Sequence, residues 1–265
     1  MNIMEEENKM SFLQHLEELR WRLVRSAVVV LSLTVVLWWN QDWIMKNIFL
    51  SMSKPDFFTF KFFCQTLNFM CVEEIPVKII SNQVGGQFAY ALWMSFLGAV
   101  VLSFPFIFYQ LWAFVKPGLK VNERNMVKGI VFYVSILFFF GILFGYFIVA
   151  PMSIQFFGTY KITADIQNDF LINSYMSTIL STVFYSGLFF LLPVVAYIMG
   201  KIGLVTADFL KKYRKHAIVG VLILAAIITP PDMVSQIIVA IPIVLLYEIG
   251  IVVVKRVEKT RNKQN

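Results

Sequence analysis

Residues 129–160 read GIVFYVSILFFFGILFGYFIVAPMSIQFFGTY, a stretch without a single charged side chain. About 20 apolar residues suffice for a helix to cross the hydrocarbon core of a bilayer, so this stretch predicts a membrane-spanning helix. The composition agrees, because 58% of the 265 residues are hydrophobic and only 15% are charged, against about a quarter in ordinary soluble domains. The sequence therefore predicts an all-α integral membrane protein.

Five other apolar runs lie before and after this stretch. Together they predict one membrane domain, 1–265, with six transmembrane helices at approximately 23–41, 88–115, 127–150, 172–199, 214–230 and 233–254. Within the long runs, we expect Pro151 to end the third helix and Gly200 the fourth, because both residue types are common where helices stop.

The last two runs are shorter than the others. Their uncharged parts, 217–231 and 233–247, contain 15 residues each. At about 1.5 Å per residue each covers about 22 Å, against a hydrocarbon core of about 30 Å. We therefore expect short fifth and sixth helices, with a bilayer that thins beside them or partner helices that relieve the mismatch.

Lys and Arg residues are distributed unevenly among the connections between these runs. The segments 1–25, 116–128, 201–215 and 255–265 hold 18 of the 23. Because cytoplasmic loops of membrane proteins carry the excess of basic residues, both termini are predicted to be cytoplasmic.

The net charge is +7, but the basic residues are divided between the apolar runs rather than gathered on one face. This distribution argues against a nucleic-acid partner. No cleavable signal peptide precedes the first run, so we expect that run to remain as an anchor.

One sizeable segment, 42–87, is predicted to lie outside. Alternation at Phe60, Phe62 and Cys64 suggests period-2 structure, and a turn is expected at Gly85-Gly86. We expect an ordered cap rather than a separate domain. Cys64 and Cys71 both fall in this cap, where a disulfide and two free thiols are both compatible with the sequence.

Signatures of catalysis are missing from the chain. It contains no HExxH, GxSxG or Walker sequence, and its two histidines, His15 and His216, are far apart. We therefore expect no enzymatic activity, no metal site and no cofactor.

Three polar segments stand out at the ends of the predicted helices. The first is SFLQHLEELRWRL at 11–23, which predicts an amphipathic helix leading into the first span. Glu18 and Arg22 lie four residues apart. The structural interpretation is a surface ion pair worth about a few tenths of a kcal/mol, and the alternative is a binding site.

The second segment is FPFIFYQLWAFVKPGL at 104–119, followed by Asn122-Glu123-Arg124. Pro117-Gly118 is expected to end the second helix and Asn122 to cap the third. Glu123 would then lie in the first turn of the third helix, where the macrodipole favours an anion.

The third segment is TPPDMVSQ at 229–236. Two successive prolines predict a tight turn between the fifth and sixth spans, and Asp232 is placed to cap the sixth. Gln236 lies one turn into that span, and Glu248 is an acid inside an apolar stretch. Such groups face protein or a wet cavity more often than lipid.

Together these segments resemble the TatC family, the multispan core of the twin-arginine protein translocase. The matches are HLxELRxRL at 15–23, FxxYQxWxFxxPGL at 106–119 with Glu123-Arg124, and TPPDxxSQ at 229–236. The segments occur in family order, at family-like spacing and along most of the chain.

The resemblance implies a receptor for folded proteins that carry a signal peptide with two adjacent arginines. It implies that Glu18 and Glu123 recognise the arginine pair, supported by Arg20, Arg22 and Arg124. Two carboxylates near the bilayer surface could accept bidentate guanidinium hydrogen bonds that lysine cannot reproduce. The implied location is the bacterial cytoplasmic membrane, and proton-motive force is the implied driving force.

The resemblance also implies protein partners within the lipid bilayer. Single-span subunits of the TatA/TatB type are expected in a homo- and hetero-oligomeric complex. They would contact the sixth span and the turn before it, through Gln236, Glu248, Pro230, Pro231 and Asp232. A polar contact of this kind in lipid is worth about 1 kcal/mol.

One position departs from the family pattern. Members usually carry a glutamate in the fourth span two residues before a proline, and here Leu191 precedes Pro193. A polar pocket in this span would be drier, or built from Ser181, Thr182 and Ser186. The alternative function is a transporter or channel for a small solute, which would need polar groups at mid-membrane in several spans.

Overall fold

The computed structural model describes residues 12–67, 78–115, 129–163, 168–228 and 233–262, and these are mainly helical. The helices are α1 (Phe12–Trp39), α2 (Gln41–Ile44), α3 (Phe58–Leu67), α4 (Gly86–Val115), α5 (Ile130–Phe144), α6 (Ala150–Thr159), α7 (Ile172–Phe189), α8 (Leu192–Lys201), α9 (Ala207–Lys212), α10 (Arg214–Ile228) and α11 (Met233–Asn262). Two short strands, β1 (Lys78–Ile80) and β2 (Asp169–Leu171), are also present, together with π-helical turns at Met45–Phe49 and Gly145–Val149 and a 3-10 helical turn at Leu50–Ser53.

Five helical segments are long and apolar enough to cross a bilayer. They are Gln14–Trp39, Gly86–Val115, Ile130–Thr159, Ile172–Lys201 and Gln236–Thr260, and they coincide with the first four predicted spans and the sixth. The fifth predicted span corresponds to α10, whose described part has 15 residues. The described residues therefore confirm a helical membrane protein, while the count of six crossings and the orientation stay predictions.

The sixth helix is not short, and that expectation is wrong. Helix α11 has 30 residues, as many as α4. Glu248 ends the uncharged run but not the helix, because its carboxylate is paired with Arg214 and apolar residues follow it. Any local thinning of the bilayer on this side therefore rests on α10 alone.

Pro151 does not end the third span either. The five residues Gly145–Val149 form one π-helical turn, and α6 starts directly after it with Pro151 in its first turn. Proline lacks an N–H, so the carbonyl four residues earlier, that of Phe147, loses its usual donor. The Thr59 hydroxyl donates a hydrogen bond to that carbonyl. Wide turns of this kind let a helix continue past a local disruption.

The other predicted stop is confirmed, since α8 ends at Lys201 beside Gly200.

The chain's contacts define two units, Met1–Trp39 with Ser95–Ser135 and Asn40–Met94 with Ile136–Asn265. In the first unit α1 runs without interruption from the amphipathic segment into the first span, as predicted. It packs closely on α4, since a Cβ added at Gly98 would lie 3.1 Å from Leu37 Cδ1. The side chains of Val28, Leu31 and Val35 are more than half exposed, which suits a lipid-facing stripe.

In the second unit small residues let the helices approach closely. A Cβ added at Gly145 would lie 2.8 Å from Val183 Cα, and one at Gly200 would lie 3.0 Å from Val254 Cγ1. The third span and α7 therefore meet at backbone distance, whereas α8 meets α11 through the Val254 side chain packed on Gly200. The GxxxG spacing of Gly141 and Gly145 serves packing within the chain.

The predicted outer cap is largely helical within its described residues. Phe60, Phe62 and Cys64 lie on α3, so the period-2 interpretation is wrong, and Phe60 is buried at 2% exposure. Phe57, Phe60 and Cys64 are three and four residues apart, which is the spacing of one face of a helix. The predicted turn is confirmed directly before α4, where the Gly86 N–H donates to the Gln83 carbonyl.

Strands β1 and β2 pair in parallel, with Ile79 opposite Phe170. This pairing joins the cap to the connection before α7, and no pattern in the sequence predicted it. Two tyrosines add further links, since the Tyr146 hydroxyl donates to the Ile48 carbonyl at 3.0 Å and the Tyr175 hydroxyl donates to the Phe49 carbonyl at 2.7 Å. Cys64 is disulfide-bonded, and Cys71, the one other cysteine of the sequence, lies outside the described residues.

Candidate functional site

A carboxylate and a guanidinium, those of Glu18 and Arg22, form a pair near the start of α1. Arg22 Nε donates to Glu18 Oε1 at 2.9 Å, and Arg22 Nη2 donates to the same oxygen. The two side chains are only 24% and 21% exposed. The predicted spacing is confirmed, but the pair is half-buried rather than a solvated surface contact.

Helix α4 contributes a third member to this pair. Arg22 Nη1 donates to Gln110 Oε1 at 3.2 Å, and Gln110 itself is buried at 6% exposure. The three side chains, Glu18, Arg22 and Gln110, are called the carboxylate cluster below. Gln110 was missed as a site residue, although an amide inside the apolar run before Pro117 was the signal that could have found it.

The second oxygen of Glu18 is in a different environment from the first. Oε2 is shielded from solvent and accepts no hydrogen bond from the described residues. Buried polar atoms are normally paired, so an unpaired carboxylate oxygen raises the free energy of the resting state. It also leaves the carboxylate with acceptor capacity for a further donor.

Arg20 lies on α1 but is not part of the carboxylate cluster. Its side chain is 67% exposed, and Nη2 lies 3.4 Å from Glu17 Oε1. Its guanidinium carbon lies 5.8 Å from the centre of the Trp21 ring. Nearby, the His15 and Phe114 rings stack with centres 4.2 Å apart, which joins α1 to the end of α4. The other two predicted residues of this site, Glu123 and Arg124, lie outside the described residues.

The predicted partner-binding residues on α11 have contacts within the chain. Gln236 Nε2 donates to the Leu222 carbonyl of α10 at 3.1 Å. Glu248 makes two contacts with Arg214, between Oε1 and Nε at 2.7 Å and between Oε2 and Nη2 at 2.8 Å. Glu248 is therefore half of a bidentate ion pair and not a lone acid. Pro230, Pro231 and Asp232 lie outside the described residues.

The fourth span is interrupted where the family glutamate would stand. Leu191 lies between the end of α7 and the start of α8. Thr182 and Ser186 are buried at 2% and 4% exposure, while the Ser181 hydroxyl donates to the Ser177 carbonyl of its own helix at 2.6 Å. The hydroxyl of Ser181 is thus used within α7, and this part of the span carries no acid.

The described residues contain no group of three or more His, Cys, Asp or Glu side chains that could hold a metal ion. The site chemistry offered by the described ranges is therefore ionic and hydrogen-bonding, centred on Glu18.

Comparison with known proteins places this chain among protein translocase subunits. The family model described as Sec-independent protein translocase protein (TatC) matches residues 14–242. A protein of that name from Blattabacterium sp. subsp. Periplaneta americana (strain BPLAN) is 38% identical over 263 residues, covering 97% of this chain and 99% of the relative. Another from Helicobacter pylori (strain J99) is 37% identical over 245 residues, covering 92% and 88% of the two chains.

The fold agrees with this relationship. A crystal structure of the twin arginine translocase receptor TatC in DDM superposes with a TM-score of 0.68 at 28% identity, covering 89% of this chain and 97% of that one. The chain therefore belongs to the TatC family, as a multi-pass translocase component of the bacterial cytoplasmic membrane and not an enzyme.

Proposed function

We propose that this chain is the signal-peptide receptor of a twin-arginine translocase, and that Glu18 and Glu123 bind the two arginines at the cytoplasmic face. One observation carries the proposal. The Glu18 carboxylate already holds a guanidinium, that of Arg22, through two N–H groups in a half-buried setting. The place is therefore chemically suited to arginine.

The preference for arginine follows from the geometry of the groups. A guanidinium is planar and presents several N–H donors in a fixed fork, whereas an ammonium is a compact point charge. Charge-assisted bonds of the bidentate type are roughly twice as strong as neutral ones. Arg20, Arg22 and Arg124 border the two carboxylates in sequence and complete the proposed site.

The proposed topology has six crossings and both termini in the cytoplasm. The basic segments between the spans support it, as does the disulfide at Cys64, because such bonds persist on the oxidising side of the membrane. Helix α10 would be the short fifth crossing, which lies beside α11 in the second unit.

The proposed partners are single-span subunits that pack along α11 in a homo- and hetero-oligomeric complex. Gln236, Pro230, Pro231 and Asp232 are the residues through which they would dock. Glu248 would act on them through the Arg214 pair, since both of its oxygens are engaged there. Proton-motive force would drive the passage of folded cargo.

The experiment is photo-crosslinking of a signal peptide to the full chain in membrane vesicles that contain its partners. Glu18→Gln and Glu123→Gln keep side-chain size and remove charge, so each should reduce the crosslink at least about tenfold. Glu17→Gln is the matched control, because Glu17 is 63% exposed on the same turn. A twin-lysine peptide tests the arginine requirement. Arginine-dependent crosslinking that survives in both variants would refute the proposed site.

A further inference from the structure

We infer that Arg22 is an internal competitor for the Glu18 carboxylate, so that a signal arginine binds by exchange with the Arg22 guanidinium. The inference rests on the proposed function, because it concerns the same carboxylate. Within the proposed site, Arg22 is then the group that the signal arginine displaces from Glu18. Arg22 then sets the affinity threshold that a signal peptide must exceed.

The first step is occupancy of the carboxylate. Both hydrogen bonds that reach Glu18 Oε1 come from Arg22, which lies four residues further along the same helix. Residues four apart are neighbours on a helix surface, so the helix itself places the competitor beside the carboxylate. A ligand therefore meets an occupied carboxylate and not a free one.

The second step is the consequence of removing that guanidinium. Glu18 is 24% exposed and its Oε2 is already shielded and unpaired among the described residues. Without Arg22 the carboxylate would be a half-buried charge with neither oxygen paired, which is strongly unfavourable. An incoming group must therefore supply a donor set equivalent to the one it displaces. A second guanidinium does so, whereas an ammonium does not.

The third step is the fate of the displaced guanidinium. Arg22 Nη1 already donates to Gln110 Oε1 at 3.2 Å. Gln110 is buried on α4 and belongs to the same unit of the chain as Arg22. The amide oxygen remains as an acceptor for Arg22 once Glu18 has been taken by the signal, so exchange leaves neither cation without a partner.

Competition makes a quantitative prediction that a supporting role does not. A competitor shared by all ligands lowers every affinity by one common factor. Arg22→Lys keeps the positive charge but loses the forked N–H donors of the guanidinium. It should therefore raise the affinities for twin-arginine and twin-lysine peptides by the same factor of about five to ten. A tenfold change corresponds to about 1.4 kcal/mol. The ratio between the two affinities should not change.

The test is a binding titration of both peptides on the full chain in membrane vesicles. Arg25→Lys is the matched control, because Arg25 is exposed on the same helix three residues further along, and it should leave both affinities unchanged. Unchanged or weaker binding by Arg22→Lys overturns the inference. An increase confined to one peptide overturns it as well.

A second measurement uses the wild-type chain and needs no variant to fold. Phenylglyoxal modifies free guanidinium groups, and mass spectrometry reads each arginine separately. A saturating twin-arginine peptide should raise the modification rate of Arg22 several-fold relative to Arg25, because exchange removes its two charge-assisted bonds to Glu18 and leaves only the bond to the neutral Gln110 amide. Protection of Arg22 by the peptide overturns the inference. Failure of the wild-type chain to prefer the twin-arginine peptide would instead refute the proposed function.

Discussion

Replacing Gly141 by alanine should loosen the contact between α5 and α7. An added Cβ would lie 2.6 Å from the Ser186 carbonyl oxygen and 2.8 Å from Gly187 Cα, where ordinary contacts begin at 3.4 Å. The helices must therefore move apart by a large part of the missing 0.8 Å, the difference between 3.4 and 2.6 Å. Overpacking of this kind costs about 1–3 kcal/mol.

The matched control is Gly220→Ala in α10. No atom lies within 4 Å of a Cβ added there, so only the gain in helix propensity remains, about 1 kcal/mol. Both variants share that gain, and the difference between them isolates the contact at Gly141. We expect Gly220→Ala to be neutral or stabilising and Gly141→Ala to be the less stable of the two by about 1–3 kcal/mol.

The assay is thermal unfolding of the purified chain in a mild detergent, followed by circular dichroism. A change of 1 kcal/mol shifts Tm by about 2–4 °C in proteins of this size, so the two variants should differ by several degrees. Equal Tm values would show that α5 and α7 separate without cost, and would refute the close approach of their backbones.

Three further outcomes are expected from contacts in the second unit. Glu248→Arg should destabilise the chain because it places two cations together. The double variant Glu248→Arg with Arg214→Glu should restore much of the lost stability. A double variant no more stable than either single variant would contradict the bidentate pair. Tyr175→Phe should lower the free energy of unfolding by about 0.5–1.5 kcal/mol because it removes the hydroxyl that donates to the Phe49 carbonyl, whereas Tyr185→Phe, at a ring 47% exposed, should not. Asn168→Ala should raise hydrogen exchange at the end of α6, since the Asn168 amide donates to three carbonyls there, and unchanged exchange would argue against that cap.

Hydropathy predicted most of the helical architecture because lipid requires long uncharged runs. It failed where a local signal was overridden by a distant group. Pro151 would end an isolated helix, but a π-helical turn and the Thr59 hydroxyl allow the helix to continue. Glu248 would end an apolar span, but Arg214 neutralises it from another helix. Thr59 and Arg214 are both far in sequence from the positions they stabilise, so the residues around Pro151 and Glu248 do not reveal them.

The cap illustrates a second limit of sequence reasoning. Strands β1 and β2 contain three residues each and lie about 90 residues apart, so no local period reveals their pairing. For the candidate site, the motif around Glu18 predicted the residue types and the spacing of the ion pair. It could not predict half-burial or the contact with Gln110, because both depend on how α1 packs on α4.

The Thr59 hydroxyl has a consequence for the order in which the chain assembles in the membrane. A carbonyl without a donor costs several kcal/mol in hydrocarbon, and Pro151 deprives the Phe147 carbonyl of its local one. The third span therefore enters the bilayer with an incomplete backbone, and the segment that completes it is synthesised earlier. Thr59 reaches this acceptor only once the third span is present, so we expect docking of the cap to follow insertion of that span. A ribosome-stalled chain that stops before residue 147 should accordingly leave the cap open to protease.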